Sequence, residues 1–528
     1  MVQTVALVFL VVFAAVMAFV GIKSAGKAKT LEGFVLGGRN VGAWMSAFAF
    51  GTTYFSAVIF VGYAGKHGWD IGVGAIWIGL GNAVIGCWLA WKVLAKRVRS
   101  MTHNMGTRTM PEFFEGRFGA KAMKLFAALL IFIFLMPYAA TVYKGLGTFF
   151  GSVFPGAGEL IPGVSSTVLC MLIVAVLTGV YLVLGGYIAV AMTDFIQGII
   201  MIAGIIALVF AVFAHGDVGG PINAIKELAN ISEPGKNLTL ASPFGGDSWG
   251  FLLTNILLTS VGTFGLPQMV HKFYAIRDES AIKRGAVIST VFAALIGCGA
   301  YAVGSVSRLI LGGQLPEGGY DYVIPEMLMK AFQDSVFGSV LLSVILLMLL
   351  SASMSTLSSI VLSSSTAVTV DFIQSVKRDI SPKRQMTLTR VMCLVFVALS
   401  FVFATFNFAI IVSLMSYSWG IIAGSFIGPF LWGLCSKRTS KAGAWCGMLG
   451  GFLTVVVMTV VSTAQNYDAA SGVYKAFQAA SANSPLFGVV AMGVSLAVTP
   501  LVSLFTKPND QKTLDIAFGT GKPEEAGA

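Results

Sequence analysis

Apolar runs of about twenty residues recur from one end of the chain to the other. They lie near 3-22, 42-65, 70-95, 122-150, 163-184, 186-213, 247-271, 285-310, 332-365, 388-406, 408-434, 442-462 and 486-506. A helix of that length crosses a hydrocarbon core of about 30 Å, so the pattern predicts about thirteen transmembrane helices. The stretches between them are too short for a soluble domain. The run 3-22 has no basic region before it and no clear small-residue cleavage site after it, and reads as a retained first helix.

Composition takes the same side: 56% of the 528 residues are hydrophobic, 11% are charged, and the mean hydropathy is +0.85. Such a balance describes an all-α integral membrane protein. The net charge of +11 could suggest nucleic acid, but the charges are segregated. Loops 23-41, 96-124, 272-284, 371-390, 437-441 and the tail 507-528 carry 26 of the 34 Lys and Arg, whereas the alternate loops carry five, Lys66, Lys226, Lys236, Lys330 and Lys475. By the positive-inside rule this predicts a multi-pass protein of the cytoplasmic membrane with its N-terminus outside and its C-terminus inside. A lipid bilayer, and not nucleic acid, is the partner the charge implies.

The six cysteines (Cys87, Cys170, Cys298, Cys393, Cys435, Cys446) are scattered, and the four histidines form no cluster. No transition-metal or haem site is expected, and no nucleophile and base stand at a spacing that suggests an enzyme.

Three spans break the rules for a plain anchor. The centre of 42-65 reads FGTTYFS, and that of 247-271 reads TSVGTFGLPQ, with Gly262, Gly265 and Pro267 close together. When 3-22 is set aside and the next ten spans are divided into two sets of five, these two helices come first in each set. Broken helices in corresponding positions point to an inverted-repeat secondary transporter with its sites at the breaks. The alternative is that Gly and Pro serve tight helix packing.

The third is LLSASMSTLSS, residues 349-359, with hydroxyls at Ser351, Ser353, Ser355, Thr356, Ser358 and Ser359. At about 100° per residue, Ala352, Ser355, Thr356 and Ser359 share a stripe, with Ser351 and Ser358 beside it. Na+ is a hard ion that takes oxygen ligands, which freed carbonyls of FGTTYFS and facing hydroxyls could supply. Bonds from these hydroxyls to their own helix carbonyls, or between helices, are the competing account. Asp194 falls inside 186-213, where a carboxylate costs about 2.5 to 3.5 kcal/mol to insert, so it should face a partner, a cavity or an ion. It could instead cap a helix or carry a coupled proton. Lys144 and Arg308 also fall in spans, near interfaces where they could snorkel.

The segments FVLGGRNVG (34-42), PEFFEGRF (111-118), GGYIAVAMTDFIQG (185-198), GLPQMVHKF (265-273) and SASMSTLSS (351-359) resemble, in order, those of the sodium:solute symporters, carriers of proline, sugars, sialic acid, pantothenate and monocarboxylates. The resemblance implies a leucine-transporter-like fold: an extra N-terminal helix 3-22, inverted five-helix repeats at 42-213 and 247-434, two extra helices in 442-506 and a cytoplasmic tail. It also implies Na+ as the coupling ion, with no other cofactor. Carried over by position, the sodium site is Thr52, Phe55, Ala352, Ser355 and Thr356. A second sodium site present in some members maps to Asp194, Ser355, Ser358 and Ser359. Substrate contacts are expected from Thr53, Tyr54, Ser56, Thr259, Thr263 and Gln268. Thr259 and Thr263 stand where proline carriers have large aromatics, and Tyr54 lies near where they have an Asp. On this ground a small carboxylate, pantothenate-like or a short organic acid, is the expected solute, with proline or a sugar as alternatives. A transporter-like sensor and a proton-coupled carrier complete the alternatives, and a single copy suffices for such a site.

Overall fold

The computed structural model describes residues 2-25, 30-232, 237-377, 380-406, 408-469 and 472-520. Within them the fold is helical, and β pairing is confined to isolated bridges such as Val41 with Ile276. Eleven of the described helices are long and apolar enough to cross a membrane, joined by a shorter apolar helix at Ser166–Val180. The count falls from thirteen to eleven because the predicted span 42-65 is cut in two, its second half running on within Val58–Asn104, and because 163-184 is represented by the shorter Ser166–Val180.

In chain order, α1 (Val2–Ala25) is followed by α2 (Ala43–Tyr54). A π turn at Val58–Tyr63 then leads into α3 (Ala64–Ile71). Next is α4 (76-104), widened by π turns at Asn82–Leu89 and Trp91–Ala95. A short helix, α5 (Met110–Phe118), precedes α6 (Lys121–Val153). The long helix Ser166–Ala214 bends at Gly186, whose φ of 56° and ψ of -157° no L side chain adopts readily, into α7 (166-185) and α8 (186-214).

The second broken helix is α9 (Trp249–Val261) and α10 (Pro267–Tyr274), and α11 (Glu279–Ser305) follows. After it come α12 (Val336–Thr366), α13 (Pro382–Thr405), α14 (Ile411–Cys435), α15 (Lys441–Gln465) and α16 (Ser484–Phe505). The last eight residues of the predicted tail lie outside the described residues.

Burial sorts these helices. The most apolar window of α14 is 100% buried and that of α12 is 72% buried, while α1, α13 and α15 bury 28%. With lipid outside, a helix carrying hydroxyls turns them inward, so α12 belongs to the interior and α1, α13 and α15 face the acyl chains. The first half-helix, α2, is wedged among α8, α11 and α12.

Small residues set the closest approach. Gly420, Gly424 and Gly428 of α14 pack against Gly488, Ala491 and Ser495 of α16. Without a hydrophobic drive between helices in lipid, such stripes let backbones meet and gain dispersion contact.

Charge on the predicted inside face holds helix ends together. Arg117 donates to the carbonyls of Gly433 (2.9 Å) and Ser436 (2.8 Å), and Arg99 to those of Ile276 (2.9 Å) and Arg277 (2.6 Å). Cations at helix C-termini meet both orphan carbonyls and the negative dipole end. Lys144, which the sequence places in a span, also has partners. It pairs with Asp321 at 2.9 Å and donates to the Ala409 carbonyl at 3.1 Å.

Candidate functional site

The first break is visible as a change of hydrogen-bond partners. Helix α2 ends as Phe55 turns extended (φ -110°, ψ 122°), its amide still bonded to the Gly51 carbonyl at 3.3 Å. Two residues on, the Ala57 amide, which a continuing helix would give to the Thr53 carbonyl, donates instead to Ser353 Oγ of α12 at 3.1 Å. The Val58 amide donates to Ser56 Oγ at 3.2 Å, in place of the Tyr54 carbonyl. Carbonyls of α2 are thereby released toward α12.

The stripe on α12 meets them. Thr356 Oγ1 lies 3.3 Å from the Thr52 carbonyl, 3.2 Å from that of Thr53 and 3.1 Å from that of Ala352. Ser355 donates to Thr52 Oγ1 at 2.8 Å, and Thr52 passes its proton to the Phe48 carbonyl at 2.7 Å. All of these residues are buried. Three carbonyls share the single hydroxyl proton of Thr356, that of Ala352 also taking the Thr356 amide of its own helix, and the proton of Ser355 is already committed. An oxygen-rich, proton-poor cluster of this kind suits a hard monovalent cation. Thr52, Ala352, Ser355 and Thr356 are thus brought to one place, and Phe55 lies in the adjoining break. Ser353, one of the six hydroxyls but off the stripe read from the sequence, caps the second half-helix.

Beyond the break lies a narrow cavity lined by Tyr54, Ser56, Asn82, Tyr138, Thr259 and Trp419, among others. Tyr54 donates to the Thr259 carbonyl at 2.7 Å and stacks on Trp419 with centroids 6.3 Å apart. Thr259 and Ser260 both donate to Asn82 Oδ1, at 2.8 and 3.1 Å. Of the six substrate residues expected from sequence, Tyr54, Ser56 and Thr259 line this cavity. Thr53 faces Ser359 at 2.9 Å, Thr263 donates to the Gly86 carbonyl at 3.1 Å, and Gln268 is buried elsewhere. Asn82, Tyr138 and Trp419 were not legible, since one amide or ring in a span makes no pattern.

The second break runs through the 3-10 turn Gly262–Phe264 and extended Leu266 to Pro267 at the head of α10. Helix α10 continues past the predicted end of its span at 271, and Lys272, counted with an inside loop, is 2% exposed. Its ammonium is 3.5 Å from Asp194 Oδ2 and 2.9 Å from Ser359 Oγ. Ser355 lies beside the same carboxylate. Ser358 gives its proton to the Ser355 carbonyl at 2.9 Å. Asp194, Ser355 and Ser359 therefore meet around Lys272, while Ser358 is turned to its own helix carbonyl. Among the described residues no three His, Cys, Asp or Glu side chains form a metal-binding group.

An interrupted membrane helix facing a hydroxyl-bearing one across a buried oxygen cluster, beside a narrow aromatic-lined cavity, is the arrangement of a cation-coupled secondary transporter. The sodium:solute symporter family profile matches residues 34-451, and the chain belongs to that family. It is a multi-pass membrane carrier that couples Na+ to the movement of a small solute. Its relatives include the high-affinity proline transporter PutP of Bacillus subtilis (strain 168), 28% identical over 84% of this chain and 89% of the relative. The sodium/proline symporter of Escherichia coli (strain K12) is also 28% identical, over 84% and 85%. In fold, the chain matches the outward-open structure of a Na+-coupled sialic acid symporter with a TM-score of 0.72, at 18% identity and covering 96% and 98% of the two chains. The leucine-transporter-like fold expected from the motifs is the fold observed.

Proposed function

We propose that the carrier takes up a small amino acid of the proline kind, driven by Na+ bound between the break after α2 and the hydroxyls of α12. One observation carries the sodium site: Thr356 Oγ1 stands within 3.3 Å of the Thr52, Thr53 and Ala352 carbonyls with one hydroxyl proton among them. A bound Na+ would be held by these carbonyls and by the oxygens of Ser355 and Thr356, tying α2 to α12. An ion that binds only when those two elements stand together stabilises that arrangement, and its loss releases them to rock apart. The matched breaks support reading 42-213 and 247-434 as the two inverted repeats, and the segregation of Lys and Arg supports an N-out orientation.

Two features support the solute. Its relatives at 28% identity are proline carriers, and the cavity joins ring faces of Tyr54, Tyr138 and Trp419 to the polar Ser56 and Asn82. Aromatic faces suit a compact methylene ring. The carboxylate would be met by the Asn82 NH2 group and the Ser56 hydroxyl. Since that donor pair recognises a carboxylate whatever is attached to it, a short organic acid is the second reading.

The test is uptake of labelled proline into proteoliposomes with an inward Na+ gradient, against choline. Accumulation that needs Na+ and is competed by unlabelled proline is expected. Absent proline uptake, with labelled acetate, pyruvate or pantothenate accumulated in its place, would move the assignment to the carboxylates.

A further inference from the structure

The buried ion pair beside the sodium cluster has no part in the account above. Lys272 and Asp194 are 2% and 0% exposed, far from water and from each other in sequence. Burying either charge alone is strongly unfavourable, so each is tolerated because of the other. The ammonium also donates to Ser359 Oγ at 2.9 Å and lies 5.4 Å from the centre of the Tyr187 ring. Ser359, its lone pair so used, shares a hydrogen bond of 2.9 Å with Thr53 Oγ1 on α2. Lys272 thus links α8, α10 and α12, and through Ser359 reaches α2, next to the cluster assigned to Na+.

We propose that Lys272 is a built-in cation standing where a second sodium ion would otherwise sit, so that this carrier binds one Na+ per cycle. The inference rests on the sodium reading above. Asp194, Ser355, Ser358 and Ser359 carry the oxygens for a second ion, but three features work against one. The negative charge of Asp194 is already neutralised, Ser359 already accepts from Lys272, and Ser355 donates to Thr52 at 2.8 Å. Asp194 Oδ1 has no hydrogen-bond partner among the described residues. An ion there would stand in the field of the ammonium, and at a separation of about 4 Å that repulsion weakens binding on the order of a thousandfold. A tethered cation holds α8, α10 and α12 together without being released to either side, so it contributes to the scaffold and not to the driving force.

Removal of the tether should expose the latent site. The test is equilibrium binding of 22Na+ to the purified full-length carrier, read as sites per chain. Wild type and Lys272→Arg are expected to bind one. Lys272→Met, which leaves a buried carboxylate near the hydroxyls of Ser355 and Ser359, is expected to bind two, and Lys272→Met with Asp194→Asn one again. A merely structural lysine would change recovery without raising the count. Two sites in the wild type, or one in a folded Lys272→Met, overturns the proposal. Should Lys272→Met not be recovered folded, the wild-type count decides in the same way. No saturable binding to the wild type would instead sink the sodium reading, and this inference with it.

Discussion

Ser353 shows how much a single hydroxyl can decide. Its Oγ accepts from the Ala57 amide at 3.1 Å and so keeps the start of the second half-helix satisfied where the chain has stopped being helical. Without it a buried N–H has no partner, at a cost of about 1 to 3 kcal/mol. Ser353→Ala is therefore expected to lower the midpoint of thermal unfolding by a few °C and to weaken transport, and an unchanged midpoint would remove Ser353 from the break. The stripe of Ser355, Thr356 and Ser359 was legible in sequence because helical spacing is enough to align it. Ser353 was not, since it falls off that stripe and its partner lies 296 residues away. Lys272 was hidden for a different reason: a hydropathy reading ends a span at the first charge, and a lysine paired within the core looks the same as one in a loop.

At the scale of the element, both breaks could be read from the sequence, since Gly and Pro weaken a helix wherever they stand. Their depth and neighbours could not. The chain entering α2 and the chain leaving α10 are tied by two backbone bonds of 3.0 Å, Val41 N–H to the Ala275 carbonyl and Arg277 N–H to the Val41 carbonyl. This couples the two broken helices at one end, a pairing no local pattern announces. The stripe between α14 and α16 makes its own prediction. A Cβ on Gly428 would fall 2.2 Å from the Ser495 carbonyl oxygen, and backbone does not yield as a side chain does. Gly428→Ala should thus cost about 1 to 3 kcal/mol, the usual range for overpacking, seen as a lower melting temperature and poorer yield. Wild-type stability in that variant would mean that α14 and α16 are less closely packed than described.

Taken whole, the molecule places the oxygen cluster proposed to hold Na+ where elements from distant parts of the chain meet: α2 with its break, and α12, held by α8 and α10 around them. The ion's binding energy can therefore choose between arrangements of the molecule as well as hold one together. Its most direct test needs no knowledge of the solute. A ligand that binds the folded state raises stability by RT ln(1 + [L]/Kd), so the melting temperature of the purified carrier should climb with NaCl relative to choline chloride at equal ionic strength. A rise of a few °C is expected in the wild type and none in Ser355→Ala with Thr356→Ala. Equal melting in the two salts for the wild type, or an undiminished sodium shift in the double variant, would contradict the account.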